Sequence, residues 1–191
     1  MPIEPIVAGQ DLPPLPELPE AMPMAGISGP ARQSLRQLLA DADRGLAHHL
    51  YQGVEIDTLL RWRAALVDRL VQHVARACLG ASATAPGRGF ALFAVGGYGR
   101  GILFPHSDID LLALCDGDRD GVPEHGLEQL FSCLWDIGLT LGQAVRTPGE
   151  CRRLAEHDVT VYTSLLDARL LYGDPEMAAT MAKLVGDPGL W

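Results

Sequence analysis

Residues 90–115 read FALFAVGGYGRGILFPHSDIDLLALC, and the fold expected of the chain follows from this stretch. An apolar run, Phe90 to Val95, ends at Gly96-Gly97; a second, Ile109 to Cys115, opens with Asp108 and Asp110 on either side of its first residue. The first run is short, apolar and closed by glycine, the pattern of a buried strand entering a tight turn. A glycine turn lets a ligand approach the backbone amides closely. It serves either as a plain turn or as a cradle of oriented N–H groups for phosphates.

The second run weights that choice. Residues two apart in a strand share a face. Asp108, Asp110, Leu112 and Leu114 are therefore expected to point one way, and Ile109, Leu111, Ala113 and Cys115 the other. Two carboxylates at the head of an apolar strand repel each other, and burying a charge is costly unless it is paired or metal-bound. A divalent cation resolves both difficulties. Mg²⁺ in particular takes one or two protein carboxylates and completes its shell with water and phosphate oxygens. The alternative is a pair of strand-end acids facing water or bonded to Arg100.

Paired glycines, a short spacer and SDIDLL resemble the signature of polymerase-β-type nucleotidyltransferases. The fuller strings VGGYGRG and PHSDIDLL resemble a narrower bacterial family, the bifunctional uridylyltransferase/uridylyl-removing enzymes. The resemblance continues in LWDIGLTLGQAVRT (134–147) and DVTVYTSLLDARLLYGD (158–174), and covers roughly residues 32–185. It implies an α/β (α+β) chain of the polymerase-β-like nucleotidyltransferase fold: a small mixed sheet flanked by helices, with an N-terminal helical hairpin.

The resemblance also implies a reaction. A Tyr hydroxyl on a PII-type nitrogen regulatory protein would attack the α-phosphorus of UTP, and pyrophosphate would leave. Asp108 and Asp110 would be the catalytic acids and would hold Mg²⁺. Gly96 and Gly97 would offer amides to the phosphates, and Ser107 and Arg100 would contact them; Arg100 serves equally as an ion-pair partner of an aspartate. Tyr98 is expected to pack, and His106 to make a structural hydrogen bond. Two other readings stay open: an adenylyltransferase of the kind that modifies glutamine synthetase, and a nucleotide-binding regulatory module without turnover.

Two departures from the pattern stand out. The superfamily places a third carboxylate on the next strand, near Leu141 or Gln143, whereas no acid lies between Asp136 and Glu150. Asp136, Asp158 and Asp167 are the remaining candidates, with Asp136 expected on a helix and Asp158 as a helix cap. The family's hydrolase (HD-type) and ACT sensor domains are also not expected within these residues.

The chain is 191 residues long, with 48% hydrophobic residues and a formal charge of −9, as expected of one globular domain. No apolar run approaches the ~20 residues of a membrane span, and no secretory signal opens the sequence, so a cytoplasmic protein without a membrane partner is expected. Arginines supply all the positive charge except Lys183 and are scattered. That argues against nucleic acid as a partner, since such binders carry a basic face. Cys78, Cys115, Cys133 and Cys151 lack metal-site spacing and sit in apolar patterns, as small buried hydrophobes do; Cys151 is expected to be the more exposed.

Three segments are expected along the chain. Residues 1–30 hold eight of the fourteen prolines and read as a disordered or polyproline-II tail. Residues 31–80 form the helical hairpin, with apolar residues at helical spacing over 31–51 and 56–79. Residues 81–191 form the catalytic core. Asp116, Asp118 and Asp120 fall in a loop read as solvated, because the calcium-loop pattern is incomplete. Pro123 suits the first turn of the next helix. A third strand is expected over 139–146, short helices over 148–157 and 158–167, a brief strand at RLLYG and a last helix over 174–186.

Overall fold

Four short strands make one mixed sheet in the computed structural model, which describes residues 12–18, 27–116 and 124–190. The elements in chain order are α1 (Gly29–Tyr51), α2 (Ile56–Leu79), β1 (Phe90–Ala94), a four-residue helical turn α3 (Gly96–Gly99), β2 (Ile109–Cys115), α4 (Glu124–Asp136), β3 (Leu141–Arg146), α5 (Pro148–Ala155), α6 (Val159–Leu166), β4 (Arg169–Gly173) and α7 (Glu176–Val185). The strand order is β3-β2-β1-β4. β1 runs antiparallel to β2 and β4, while β2 and β3 are parallel and joined through α4.

The sheet is covered on both faces, which is why β1 and β2 read as nearly unbroken apolar runs. Phe90, Leu92, Ala94, Ile109, Leu111 and Ala113 face a core shared with α1, α2 and α4. Ala91, Phe93, Leu112 and Leu114 face a second core with Cys151, Leu165, Met177 and Met181. Asp110 shares a face with Leu112 and Leu114, so its carboxylate lies on the side of α5 and α6. The architecture is the expected small mixed sheet with flanking helices and an N-terminal helical pair, consistent with a polymerase-β-like fold.

Helix boundaries follow local chemistry. α1 starts two residues earlier than its apolar spacing suggests, because Ser28 caps it and Pro30 fits the first turn. α2 ends at Gly80, whose φ is +74°. The pair is locked by Arg63, 3% exposed, whose guanidinium forks onto Asp43 at 2.7 and 3.1 Å. Arg32 pairs with Asp136 and ties α1 to the end of α4.

The structure corrects two expectations. Cys151 is not the exposed cysteine: its exposure is 0%, because α5 turns that face into the second core, and burial pushes its thiol up to about 11. All four cysteines are buried. Second, part of the segment read as a disordered or polyproline-II tail is seated on the fold and not disordered: Trp62 Nε1 donates to Pro13 O at 2.9 Å, and Leu12, Leu15 and Leu18 pack against the main core. Leucines spaced between prolines give an apolar edge to a stretch that is already stiff, so docking it orders little that was free. Residues 1–11 and 19–26, and the loop containing Asp118, Asp120 and Pro123, lie outside the described residues. Replacing Trp62 with Phe keeps an aromatic ring but removes the hydrogen bond to Pro13 and part of the buried volume; the expected loss is about 1–3 kcal/mol of stability, read from urea unfolding curves.

Candidate active site

The site forms where β1 ends and β2 begins. Val95 N donates to Asp110 O at 3.1 Å, which fixes the start of the glycine turn against the head of β2. Gly96 follows with φ +57°, a conformation that glycine adopts without strain. The tight turn read from the sequence is thus the helical turn α3. A side chain at Gly96 would bring its Cβ within 3.3 Å of Asp110 Oδ2, so the bare backbone of the turn lies against the carboxylate.

The other carboxylate oxygen faces β3. Parallel pairing puts Gly142 opposite Asp110, and a Cβ at Gly142 would collide with Asp110 Oδ1. The carboxylate therefore occupies a slot made by two missing side chains, one in α3 and one in β3. The third wall is α6, where Ser164 Cβ lies 3.9 Å from the position a Cβ on Gly96 would take. The Ser164 hydroxyl donates to Val161 O at 2.7 Å, within its own helix.

Asp110 is half-buried, while Asp108 and Ser107 are exposed. Burial, and then the negative charge of Asp108, push the Asp110 carboxyl above the usual range. The slot thus carries charge that the fold itself disfavours. His106, just before, adopts φ +67° in a turn closed by Ser107 N donating to Phe104 O at 3.2 Å.

Arg100 closes α3 and pairs with Asp167 Oδ2 at 2.7 Å. The aspartate partner foreseen for Arg100 thus comes from the end of α6, not from the strand-head pair. Its guanidinium stays largely exposed, with Nη2 3.7 Å from where a Cβ on Gly97 would be. Of the residues singled out from the sequence, Gly96, Gly97, Asp108, Asp110 and Arg100 border one region, and Ser107 adjoins Asp108 in the chain. Tyr98 packs as expected, at 1% exposure.

The third-carboxylate candidates resolve differently. Leu141 pairs with Ile109 and Gln143 with Leu111, so both positions share the opposite sheet face from Asp110. An acid at either would point away from it. The β3 positions on Asp110's own face include Gly142 and Ala144. Asp136 ends α4 in its ion pair with Arg32. Asp158 caps α6 by accepting from the Thr160 hydroxyl at 2.6 Å and amide at 2.8 Å, which holds its carboxyl below the usual range. Asp167 is engaged by Arg100. Among the described residues no three His, Cys, Asp or Glu side chains gather into a metal-binding cluster, and none of the described helices is long and apolar enough to cross a membrane.

Gly142, Ser164 and Asp167's pairing with Arg100 are the parts of the site that motif reading passes over. Gly142 carried a usable signal, because a glycine inside an alternating strand marks close approach of another group.

No family profile matches the chain. It is 38% identical over 177 residues to the bifunctional uridylyltransferase/uridylyl-removing enzyme of Xanthomonas euvesicatoria pv. vesicatoria, covering 92% of this chain and 20% of that protein. The enzyme of the same name from Xanthomonas campestris pv. campestris is 39% identical over 175 residues, 91% of this chain and 19% of the relative. That of Nitrosococcus oceani is 36% identical over 157 residues, 82% of this chain and 17% of the relative. The chain thus spans about a fifth of the length of the curated relatives it matches.

Proposed function

We propose, for a chain that corresponds along nearly all its length to the N-terminal region of the bifunctional uridylyltransferase/uridylyl-removing enzymes, that the slot around Asp110 is a centre for nucleotidyl transfer. The observation that carries this reading is the Asp110 carboxylate held between Gly96 and Gly142 beside Asp108. A fold keeps a disfavoured charge in a slot built by two glycines when that charge is used. The relatives' name supports uridylyl transfer from UTP, and the finer reading is transfer to a Tyr hydroxyl of a PII-type protein in the cytoplasm.

The donor set fits Mg²⁺, a cation that binds through one or two carboxylates and substrate phosphates and needs no full protein cage. Asp108 and Asp110 would hold it, and the bound ion would neutralise charge on the phosphates and on the entering and leaving oxygens. The chain's own groups position the substrate. The amides of Gly96 and Gly97 offer donors to phosphate oxygens. Arg100, steered by Asp167, presents a fork suited to an oxyanion. The Ser107 hydroxyl adds a donor beside Asp108. Gly142 leaves room for the Asp110 carboxylate beside β3.

The absence of an acid at Gly142 and Ala144 favours one rival reading, a module that binds nucleotide without turnover. The test is the intact mass of a purified PII-type protein after incubation with this chain, Mg²⁺ and an equimolar mixture of UTP and ATP. A uridylyl-sized increment is expected. An adenylyl-sized increment would move the chain to the glutamine synthetase-modifying type, and no increment despite nucleotide binding would favour the module.

A further inference from the structure

The glycine turn is held from behind by a residue that the sequence reading gave no role. Arg169, the first residue of β4, donates from Nε to Gly99 O at 3.2 Å and from Nη2 to Tyr98 O at 3.4 Å. The rest of its guanidinium forks onto Asp68 of α2, with Nη1 to Oδ2 at 2.6 Å and Nη2 to Oδ1 at 3.0 Å. Tyr98 completes the cluster: its hydroxyl donates to Asp68 Oδ1 at 2.7 Å, and its ring lies 5.6 Å from the Arg169 guanidinium carbon. Arg169 and Asp68 are both mostly buried, with side-chain exposures of 17% and 16%.

We propose that Arg169, braced by Asp68 and Tyr98, is a positioning residue that sets the direction of the peptide groups in the Gly96–Gly99 turn, and so aims its amides at the phosphates of the substrate. This rests on the nucleotidyl-transfer reading of the site. A short glycine turn has little intrinsic preference among peptide orientations. An inverted peptide would present a carbonyl, not an N–H, to an anion, and would repel it. Arg169 removes that alternative by binding the Tyr98 and Gly99 carbonyls: the Tyr98 carbonyl shares its peptide with the Gly99 N–H, which donates to Val95 O at 3.0 Å, and the Val95 carbonyl shares its peptide with the Gly96 N–H, so the restraint reaches the amide that opens the turn. It does so as a planar fork already fixed by a bidentate carboxylate, so the restraint has direction as well as strength. The same stretch of chain acts twice, since Asp167 pairs with Arg100 at the end of the turn. The α6–β4 junction therefore steers both the turn's backbone and its arginine.

The experiment compares the full chain with Arg169→Lys and Arg169→Ala variants, measuring thermal melting together with kcat and KM for the nucleotide. Lysine keeps the charge but cannot bridge two carbonyls and a carboxylate in one plane. The expected result is that Arg169→Lys melts cooperatively yet loses kcat more than it raises KM. For Arg169→Ala the expected loss is about 10²-fold, the scale of a misplaced contact, and millimolar guanidinium, but not sodium at equal ionic strength, restores part of it. Arg169→Lys turnover equal to wild type would overturn the inference, as would a folded Arg169→Ala protein that guanidinium does not rescue. If Arg169→Ala fails to fold, Arg169→Lys decides alone. A wild-type chain that transfers no nucleotidyl group overturns the underlying reading, and this inference with it; a wild-type chain that transfers while Arg169→Lys matches it overturns this inference alone.

Discussion

Asp110→Asn is expected to abolish measurable transfer and to leave the protein more stable. The loss in kcat should reach at least about 10²–10³-fold, the scale seen when one preorganised electrostatic group is removed from a transition state. The gain in stability follows from the position of the carboxylate. Burial and the charge of Asp108 raise its pKa in the folded chain, so ionised Asp110 opposes folding at neutral pH. For an acid raised on folding, stability is lost as pH climbs from the unfolded value through the folded one, and is regained on acidification. Asn removes that penalty at neutral pH and nothing below the ordinary Asp range. Melting curves without added divalent cation should therefore show Asp110→Asn above wild type at neutral pH and converging with it in acid. A variant less stable than wild type at neutral pH would mean that the carboxylate serves structure. Gain of stability with loss of activity is the pattern of a site retained for function.

Gly142→Ala should reduce transfer by about 10²-fold, the scale of a 1 Å misplacement of a reacting group, acting through Asp110. The added methyl group would occupy the space of Asp110 Oδ1. β2 and β3 are paired along the whole of β3, so the side chain is the part able to move, and it must leave the slot. Overpacking of this kind costs about 1–3 kcal/mol. The cost should vanish when Asp110 is already Ala, because only the carboxylate collides. A double-mutant cycle on urea stability, pairing Gly142→Ala with Asp110→Ala, should give a coupling that accounts for most of the single-variant loss. Additive behaviour would place the strain elsewhere in β3.

What was legible in the sequence follows from which forces are local. The two apolar runs, the glycine punctuation and the helical spacing of α1 and α2 each carry their own signal, so the sheet and the helical pair were readable. The alternation of β2 also gave Asp110 its face. Reading β3 for a third acid failed because face depends on register. The pairing of Ile109 with Leu141 is a tertiary fact that turns Leu141 and Gln143 away. Arg100's choice of Asp167, and the Asp68–Arg169 fork, join residues far apart in the chain, and no spacing rule finds them. The seated stretch 12–18 was missed for a similar reason: its prolines announce stiffness, but the donor that captures it, Trp62, belongs to α2.

The most direct test of the central claim, that the Asp110 slot and the glycine turn together form the metal–nucleotide site, is calorimetric titration of UTP into the chain with and without Mg²⁺. The comparison is wild type against Asp110→Asn and Gly142→Ala. Mg²⁺-dependent binding in wild type, and its loss in both variants while their folds persist, is the predicted result. Nucleotide binding of equal strength in all three proteins, or binding indifferent to Mg²⁺, would contradict it.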